Sequence, residues 1–178
     1  KVISLIENRS TKDYWIATDS GMCVYNTRNK TLSYRGRNTA KIPFIEKYGN
    51  NVQYLNLLID SSSRFWFTSV TASGTGPVIN CYDLKADKLI LDQQNLFPDI
   101  KKYYEAKRII QQRDGNIWIA GLNVLMKYSE LEKRFLPVLS GTAEKSIDYE
   151  EVNLLFEDRE ENIWISTNYG LSKLDPAT

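Results

Sequence analysis

The chain has 178 residues, with 23 basic and 22 acidic side chains, a formal net charge of +1 and no histidine. That balance, without a long run of either sign, offers no electrostatic footprint for a nucleic acid, whose phosphates are gripped by clustered Lys and Arg. The missing imidazole removes Ser-His-Asp and Cys-His nucleophile pairs and the common zinc sites, and no apolar stretch approaches the roughly 20 residues of a membrane-spanning helix.

In chain order, a short apolar run, Ile3-Ser4-Leu5-Ile6, precedes polar turn formers and then Tyr14-Trp15-Ile16-Ala17-Thr18. A turn at Asp19-Ser20-Gly21 leads to Met22-Cys23-Val24-Tyr25, and Thr31-Leu32-Ser33-Tyr34 closes the unit. The order returns with Leu57-Leu58-Ile59, Phe65-Trp66-Phe67-Thr68-Ser69, Val78-Ile79-Asn80-Cys81-Tyr82 and Lys88-Leu89-Ile90-Leu91. A third pass runs Ile109-Ile110, Ile117-Trp118-Ile119-Ala120-Gly121, Leu125-Met126-Lys127-Tyr128 and Arg134-Phe135-Leu136. The last has Leu154-Leu155-Phe156, Ile163-Trp164-Ile165-Ser166-Thr167 and Leu171-Ser172-Lys173-Leu174. Every tryptophan of the chain occupies the same slot, at a spacing of roughly 50 residues, the signature of one small sheet per repeat.

Asp114-Gly115 between two apolar runs is a hairpin signal, because such residues accept the positive φ of a tight turn. Each repeat therefore reads as a meander of short antiparallel strands. The tryptophan strand is apolar at consecutive positions, so both its faces should be covered. The predicted fold is all-β: a β-propeller segment of about four four-stranded antiparallel blades, near 1–34, 54–91, 107–136 and 152–178, the last lacking its outer strand. Trp15, Trp66, Trp118 and Trp164 are expected to be inter-blade core and not ligand platforms. The chain opens inside a first strand and stops at Asp175-Pro176-Ala177-Thr178, which reads as an open piece of a larger propeller; a closed four-bladed ring is the alternative. Open blade faces would be apolar patches, so a homo-oligomer that hides them is expected.

No tryptophan is followed by Asp and no Gly-Gly pair occurs, which argues against WD and kelch repeats. Asp158 through Asp175 resembles the two-component regulator propeller repeat closely, and Arg113 to Tyr128 and Asp13 to Asn26 resemble it well. The second repeat departs from it, with Ser62-Ser63-Arg64 in its first turn and a longer loop at Ser73-Gly74-Thr75-Gly76-Pro77. The resemblance implies the periplasmic sensor region of a bacterial hybrid two-component histidine kinase. Such a region detects an oligosaccharide or glycan breakdown product and signals through a membrane helix to the kinase. Its partners would be the small saccharide, the rest of the propeller and the downstream signalling domains.

Catalytic equipment is not evident. Asp60, Asp114 and Asp158 recur in hairpin turns, where Asp bonds to backbone N–H groups and sets the turn. Glu157-Asp158-Arg159-Glu160-Glu161 lacks the order of a calcium loop, and the Gly74 and Gly76 loop lacks the lysine and helix of a phosphate cradle. No cofactor or metal site is read. Cys23 and Cys81 fall on the third strands of neighbouring repeats with opposite side-chain parity. Stacked sheets lie about 10 Å apart, beyond the roughly 7 Å that bridged Cα atoms tolerate, so unpaired thiols are expected.

The long linkers, Arg35 to Gln53, Asp92 to Lys107 and Pro137 to Glu151, hold aromatics that the repeat does not explain, Phe97 among them. Tyr48, Tyr54, Tyr103, Tyr104, Arg108 and Tyr149 are the candidate ligand-binding residues, since tyrosine offers a ring to a sugar face and a hydroxyl to its edge. The alternative is that they pack the linkers onto the blades. Lys101-Lys102-Tyr103-Tyr104-Glu105-Ala106-Lys107 reads equally as a helical turn or as cations and rings for an acidic saccharide. The expected function is sensing, not catalysis; a protein-binding scaffold and a propeller lyase or glycosidase are the alternatives.

Overall fold

A computed structural model describes residues 1–49, 53–70, 77–91, 104–138 and 147–174. Strands β1 (Val2–Asn8), β2 (Asp13–Thr18), β3 (Gly21–Asn26) and β4 (Thr31–Tyr34) form the first sheet. Helix α1 (Pro43–Tyr48) leads to β5 (Gln53–Ile59), β6 (Arg64–Val70), β7 (Pro77–Asp83) and β8 (Lys88–Leu91) of the second. The third holds β9 (Glu105–Gln111), β10 (Ile117–Leu122), β11 (Val124–Ser129) and β12 (Arg134–Pro137). The fourth holds β13 (Val152–Glu157), β14 (Ile163–Thr167) and β15 (Gly170–Leu174). Each sheet is an antiparallel meander in chain order, the blade topology that the repeat predicts. The Gly74–Gly76 part of the long second-repeat loop, Phe97, Lys101, Lys102 and Asp175–Thr178 lie outside the described residues. Glu105–Lys107, read as a potential helical turn, are instead the first residues of β9.

The chain divides into two compact units, Lys1–Asp92 and Gln93–Thr178, each with two sheets. Within each unit the sheets meet by one rule. Residues opposite one another on adjacent antiparallel strands share a face. In the first sheet Ile6, Trp15 and Val24 form such a row, as do Ala17 and Met22. This face packs against Leu57, Phe65, Phe67 and Tyr82 of the second sheet. In the other unit Trp118, Ala120 and Leu125 pack against Val152, Leu155, Ile163 and Ile165. The tryptophan face of one sheet therefore meets the opposite face of the next. Trp15, Trp66 and Trp118 are buried, whereas Trp164 is only half-buried: no sheet follows it among the described residues.

Two irregularities recur at fixed places. The inner strand pair of every sheet carries a register shift, at Val2/Ser4, Tyr54/Leu57, Ala120/Gly121 and Val152/Leu154. Such bulges re-aim side chains at the rim of a sheet. Gly121 is required there, because a Cβ would stand 1.9 Å from the Glu105 carbonyl oxygen. The first turn of each sheet places a left-handed residue three before the tryptophan: Lys12, Ser63, Gly115 and Glu161. In the third sheet Gly115 N–H donates to Gln112 O (2.9 Å), closing a type I turn ahead of the left-handed residue. Gly115 alone takes positive φ there; Asp114, expected to share it, does not.

The tryptophans are also tied by their polar edge. Trp66 Nε1 donates to Asp60 (2.8 Å), Trp164 Nε1 to Asp158 (2.7 Å), and Trp118 Nε1 to Gln112. The third-sheet counterpart of Asp60 and Asp158 is thus Gln112 and not Asp114, which accepts from the Asn116 backbone instead (2.8 Å). Cys23 stands opposite Ile16 and Cys81 opposite Trp66, so they occupy opposite faces of their sheets, and both are thiols.

The Asp158 carboxyl also accepts from the Glu160 and Asn162 backbones (2.9 and 3.0 Å). The Trp164 indole N–H above all, then the Asn162 side-chain amide and the Asn162 and Glu160 backbone donors, hold its pKa at about 2, below the ordinary 3.8, against an opposing effect of burial. A folded pKa below the unfolded one means that the unfolded chain binds more protons between the two values. The resulting stabilisation is present above pH 3.8 and is lost as pH falls through about 2. Asp158→Asn is expected to flatten the pH dependence of urea unfolding in that window. Equal slopes for variant and parent would show that another group titrates.

Candidate ligand rim

The six residues singled out for binding have different fates. Tyr48 ends α1 with its ring half-buried, its centroid 5.4 Å from Phe44 and 5.7 Å from Tyr82. Its ring is thus committed to packing between linker and sheet. Tyr54 lies in β5, paired with Ser69. Tyr103 lies outside the described residues, and Tyr104, half-buried, immediately precedes β9. Arg108 is exposed in β9, its guanidinium donating to the Lys107 carbonyl (2.8 Å). Tyr149 precedes β13 and packs on the core of its unit; burial pushes its phenol up, opposed by a hydrogen bond with the Leu125 backbone.

Three of these residues converge on one end of the third sheet. Arg108, Ala120 and Leu125 form a single cross-strand row, and Tyr149 meets the backbone of the last of them. Tyr104 enters the same end at the start of β9. The bulge between Ala120 and Gly121 lies in this row, so the backbone irregularity and the candidate side chains coincide.

The same end carries a polar network that the sequence reading passed over. Lys107 Nζ lies 2.6 Å from Glu151 and 3.5 Å from Glu105. Its hydrogen bond to Glu151 above all, with the charges of Glu151 and Glu105, raises the Lys107 pKa against an opposing effect of desolvation. Asn168 Oδ1 accepts from the Glu150 and Glu151 backbones (3.0 Å each), and Asn123 N–H donates to Glu150 O (2.8 Å). The start of β9, the β10–β11 turn, the linker into β13 and the β14–β15 turn are thereby fastened together. The sequence shows Lys107 as a linker end and as one of the cations of the Lys101–Lys107 segment, and Glu151 only as a linker end. An ion pair across 44 positions has no local pattern that would reveal it. Chemically, the rim combines cations, carboxylates and half-buried phenols, a set suited to hydroxyl-rich ligands.

A groove lies elsewhere in the same unit. It measures about 710 Å³ and opens between the third and fourth sheets, at the end carrying the β9–β10 and β11–β12 turns. Gln112, Trp118, Lys127, Leu136, Val138 and Leu174 are among its walls, and none of the six candidates lines it. The corresponding space of the first unit is about 270 Å³, and the Phe44 ring is one of its walls. Among the described residues no group of three or more Cys, Asp or Glu is arranged to hold a metal ion, and no helix is long and apolar enough to cross a membrane.

No protein-family model and no curated protein matches the chain. Solved structures do. The extracellular domain of BT4673 from B. thetaiotaomicron, described as part of a hybrid two component system and in a second structure as part of a one component system, aligns over 97% of this chain at 18% identity with a TM-score of 0.64. The extracellular domain of the hybrid two component system BT3049 from the same organism aligns over 98% at 14% identity, with a TM-score of 0.50. PorZ, a surface component of the type-IX secretion system of Porphyromonas gingivalis, aligns over 98% at 13% identity, with a TM-score of 0.67. The chain spans only 21%, 27% and 26% of these three. At such identities the likeness is one of fold: the chain shares the propeller architecture that its repeat led one to expect.

Proposed function

We propose that this chain is part of the periplasmic sensor region of a hybrid two-component system. It detects an oligosaccharide or glycan breakdown product, and the signal passes to a histidine kinase elsewhere in the protein. The observation that carries this reading is the combination of the Asp158–Asp175 repeat with a fold shared by two extracellular domains of such systems. Recognition falls to the rim at the start of β9, where Tyr104, Arg108 and Tyr149 adjoin the Lys107–Glu151 pair. Ligand occupancy would bias a two-state packing of this end against its neighbours.

A thermal-shift screen with acidic and neutral oligosaccharides tests the reading, since only a ligand that prefers the folded state adds stability, about 2.7 kcal/mol at a hundredfold excess over Kd. A hit is expected to vanish in Arg108→Ala while the ligand-free melting temperature stays put, because Arg108 is exposed. A second reading, a scaffold that docks a protein on the rim, is favoured by Tyr48 and Tyr149, whose rings are already engaged in packing. Silence across the panel sinks saccharide sensing by this segment and leaves the scaffold. Glycan turnover by the chain, lost on replacing Glu105 or Glu151, would overturn both in favour of an enzyme.

A further inference from the structure

The β14–β15 turn carries a side chain that its own construction does not call for. In the first and fourth sheets the corresponding turns are built alike. The Thr18 and Thr167 hydroxyls donate to the Gly21 and Gly170 carbonyls (2.9 and 3.4 Å). The same hydroxyls accept from the Ser20 and Tyr169 backbones (3.2 and 3.0 Å). Between them, the Asp19 and Asn168 N–H groups donate to the Lys1 and Glu151 carbonyls (3.0 and 3.1 Å). What the turn takes from its third position is a backbone N–H, and tight turns favour Ser, Asn, Asp and Gly. Ser20 follows that preference; Tyr169 does not.

Nor does burial account for the ring. Tyr169 is 68% exposed, and no hydrogen bond or ring contact joins its side chain to another described residue. Ser20 is exposed as well, although α1 and the second sheet follow the first, so this position stays open when a sheet follows. The rings of Tyr48 and Tyr149, by contrast, are engaged in packing. The backbone under Tyr169 is held in place. Its neighbour Asn168 accepts from the Glu150 and Glu151 N–H groups (3.0 Å each), and Glu151 pairs with Lys107 (2.6 Å). The turn thus presents an unengaged phenol beside the ion pair of the rim. A ring with two soft torsions on a fixed backbone loses little freedom when a ligand covers it.

We infer that Tyr169 is the stacking platform of the rim, its ring receiving the C–H face of a pyranose and its hydroxyl bonding to a sugar hydroxyl at the edge. The inference rests on the saccharide reading above and narrows its ligand class. A pyranose chair offers its axial C–H bonds as one flat apolar patch, which a puckered furanose does not. Pyranose oligosaccharides are therefore selected.

Isothermal titration tests this with trisaccharides of glucose, galactose, xylose, N-acetylglucosamine and galacturonate, all pyranoses, beside arabinofuranotriose. At least one pyranose is expected to bind, and the furanose is not. Tyr169→Ser, which follows the turn of the first sheet, should weaken binding roughly tenfold or more, and Tyr169→Phe, which keeps the ring, less than about threefold. Both should melt with the parent, because the side chain is exposed. Saturation-transfer NMR should mark the axial C–H protons of one sugar unit, a signal that persists in Tyr169→Phe and disappears in Tyr169→Ser. Undiminished binding by Tyr169→Ser overturns the platform, and the saccharide reading still stands if Arg108→Ala abolishes that binding. A preference for the furanose, or a Tyr169→Ser chain that melts well below the parent, also overturns the platform. Silence of every sugar sinks the saccharide reading, and the platform with it.

Discussion

Asp60→Ala lowers the unfolding free energy by about 3–5 kcal/mol, the expected cost of removing one partner from a buried ion pair. The Asp60 side chain is fully enclosed, and its two oxygens serve four donors. Oδ1 accepts from the Ser62 and Arg64 backbones (2.9 and 2.8 Å). Oδ2 accepts from Arg64 Nε (2.6 Å) and Trp66 Nε1 (2.8 Å). Alanine takes the carboxylate from a guanidinium that is 13% exposed and the Asp60 oxygen from the indole N–H of a completely buried ring. Solvent reaches none of these groups easily, so the desolvation cost is hardly recovered. Asp60→Asn keeps one carbonyl oxygen for the indole and should lose less. Adding Arg64→Met to Asp60→Ala should regain part of the loss, because the buried cation that has lost its carboxylate goes with it. Asp158→Ala, which removes the same kind of acceptor beside the half-buried Trp164, should cost less than Asp60→Ala. Urea unfolding followed by circular dichroism measures all four. A loss below about 1 kcal/mol for Asp60→Ala would reduce its role to that of an ordinary hydrogen bond.

The same residues show where a sequence is readable. The meanders follow from periodicity, because a tryptophan strand apolar at successive positions has to be covered twice, and Trp15 and Trp118 meet their neighbours on that basis. Alignment of turns by residue type misled, grouping Asp114 with Asp60 and Asp158. Counting back from each tryptophan would have found Gln112, since an indole N–H asks for an acceptor at a distance and not for a particular side chain. Helix α1 was not legible. It has six residues, no side-chain cap at Ile42 and too few turns to hold without tertiary contacts. The rim was half legible: Tyr104, Arg108 and Tyr149 were named, but Lys107 and Glu151 are joined only by the folded linker, which no local spacing encodes. Tyr48 was open to both readings, rim and packing, because ring burial depends on Phe44 and Tyr82, residues of different segments.

Phe44→Ala should be nearly as damaging as Asp60→Ala, at about 3–5 kcal/mol, for a different reason. The ring is completely buried, with centroids 5.5 Å from Trp15, 5.2 Å from Phe65, 5.5 Å from Phe67 and 5.1 Å from Tyr82. It touches both sheets of the first unit at once, so its removal leaves a cavity that neither sheet can fill by moving alone. Pro43 sets the first turn of α1, and Phe44 and Ile45 bury its apolar side. A helix this short depends on that burial. The loss therefore spreads to what α1 carries: the Lys47–Asp87 pair (3.2 Å) and the Met22 N–H bond to Gly49 O (3.2 Å). Phe44→Leu keeps most of the volume and should cost less than about 1.5 kcal/mol. Hydrogen exchange distinguishes an unseated linker from general weakening. The Met22 amide should lose protection in Phe44→Ala, while amides of β10 and β11 keep theirs, since those strands belong to the second unit and its corresponding space holds no such ring among the described residues. Equal loss in both units would mean that Phe44 supports the chain as a whole and that the linker is not a local wedge.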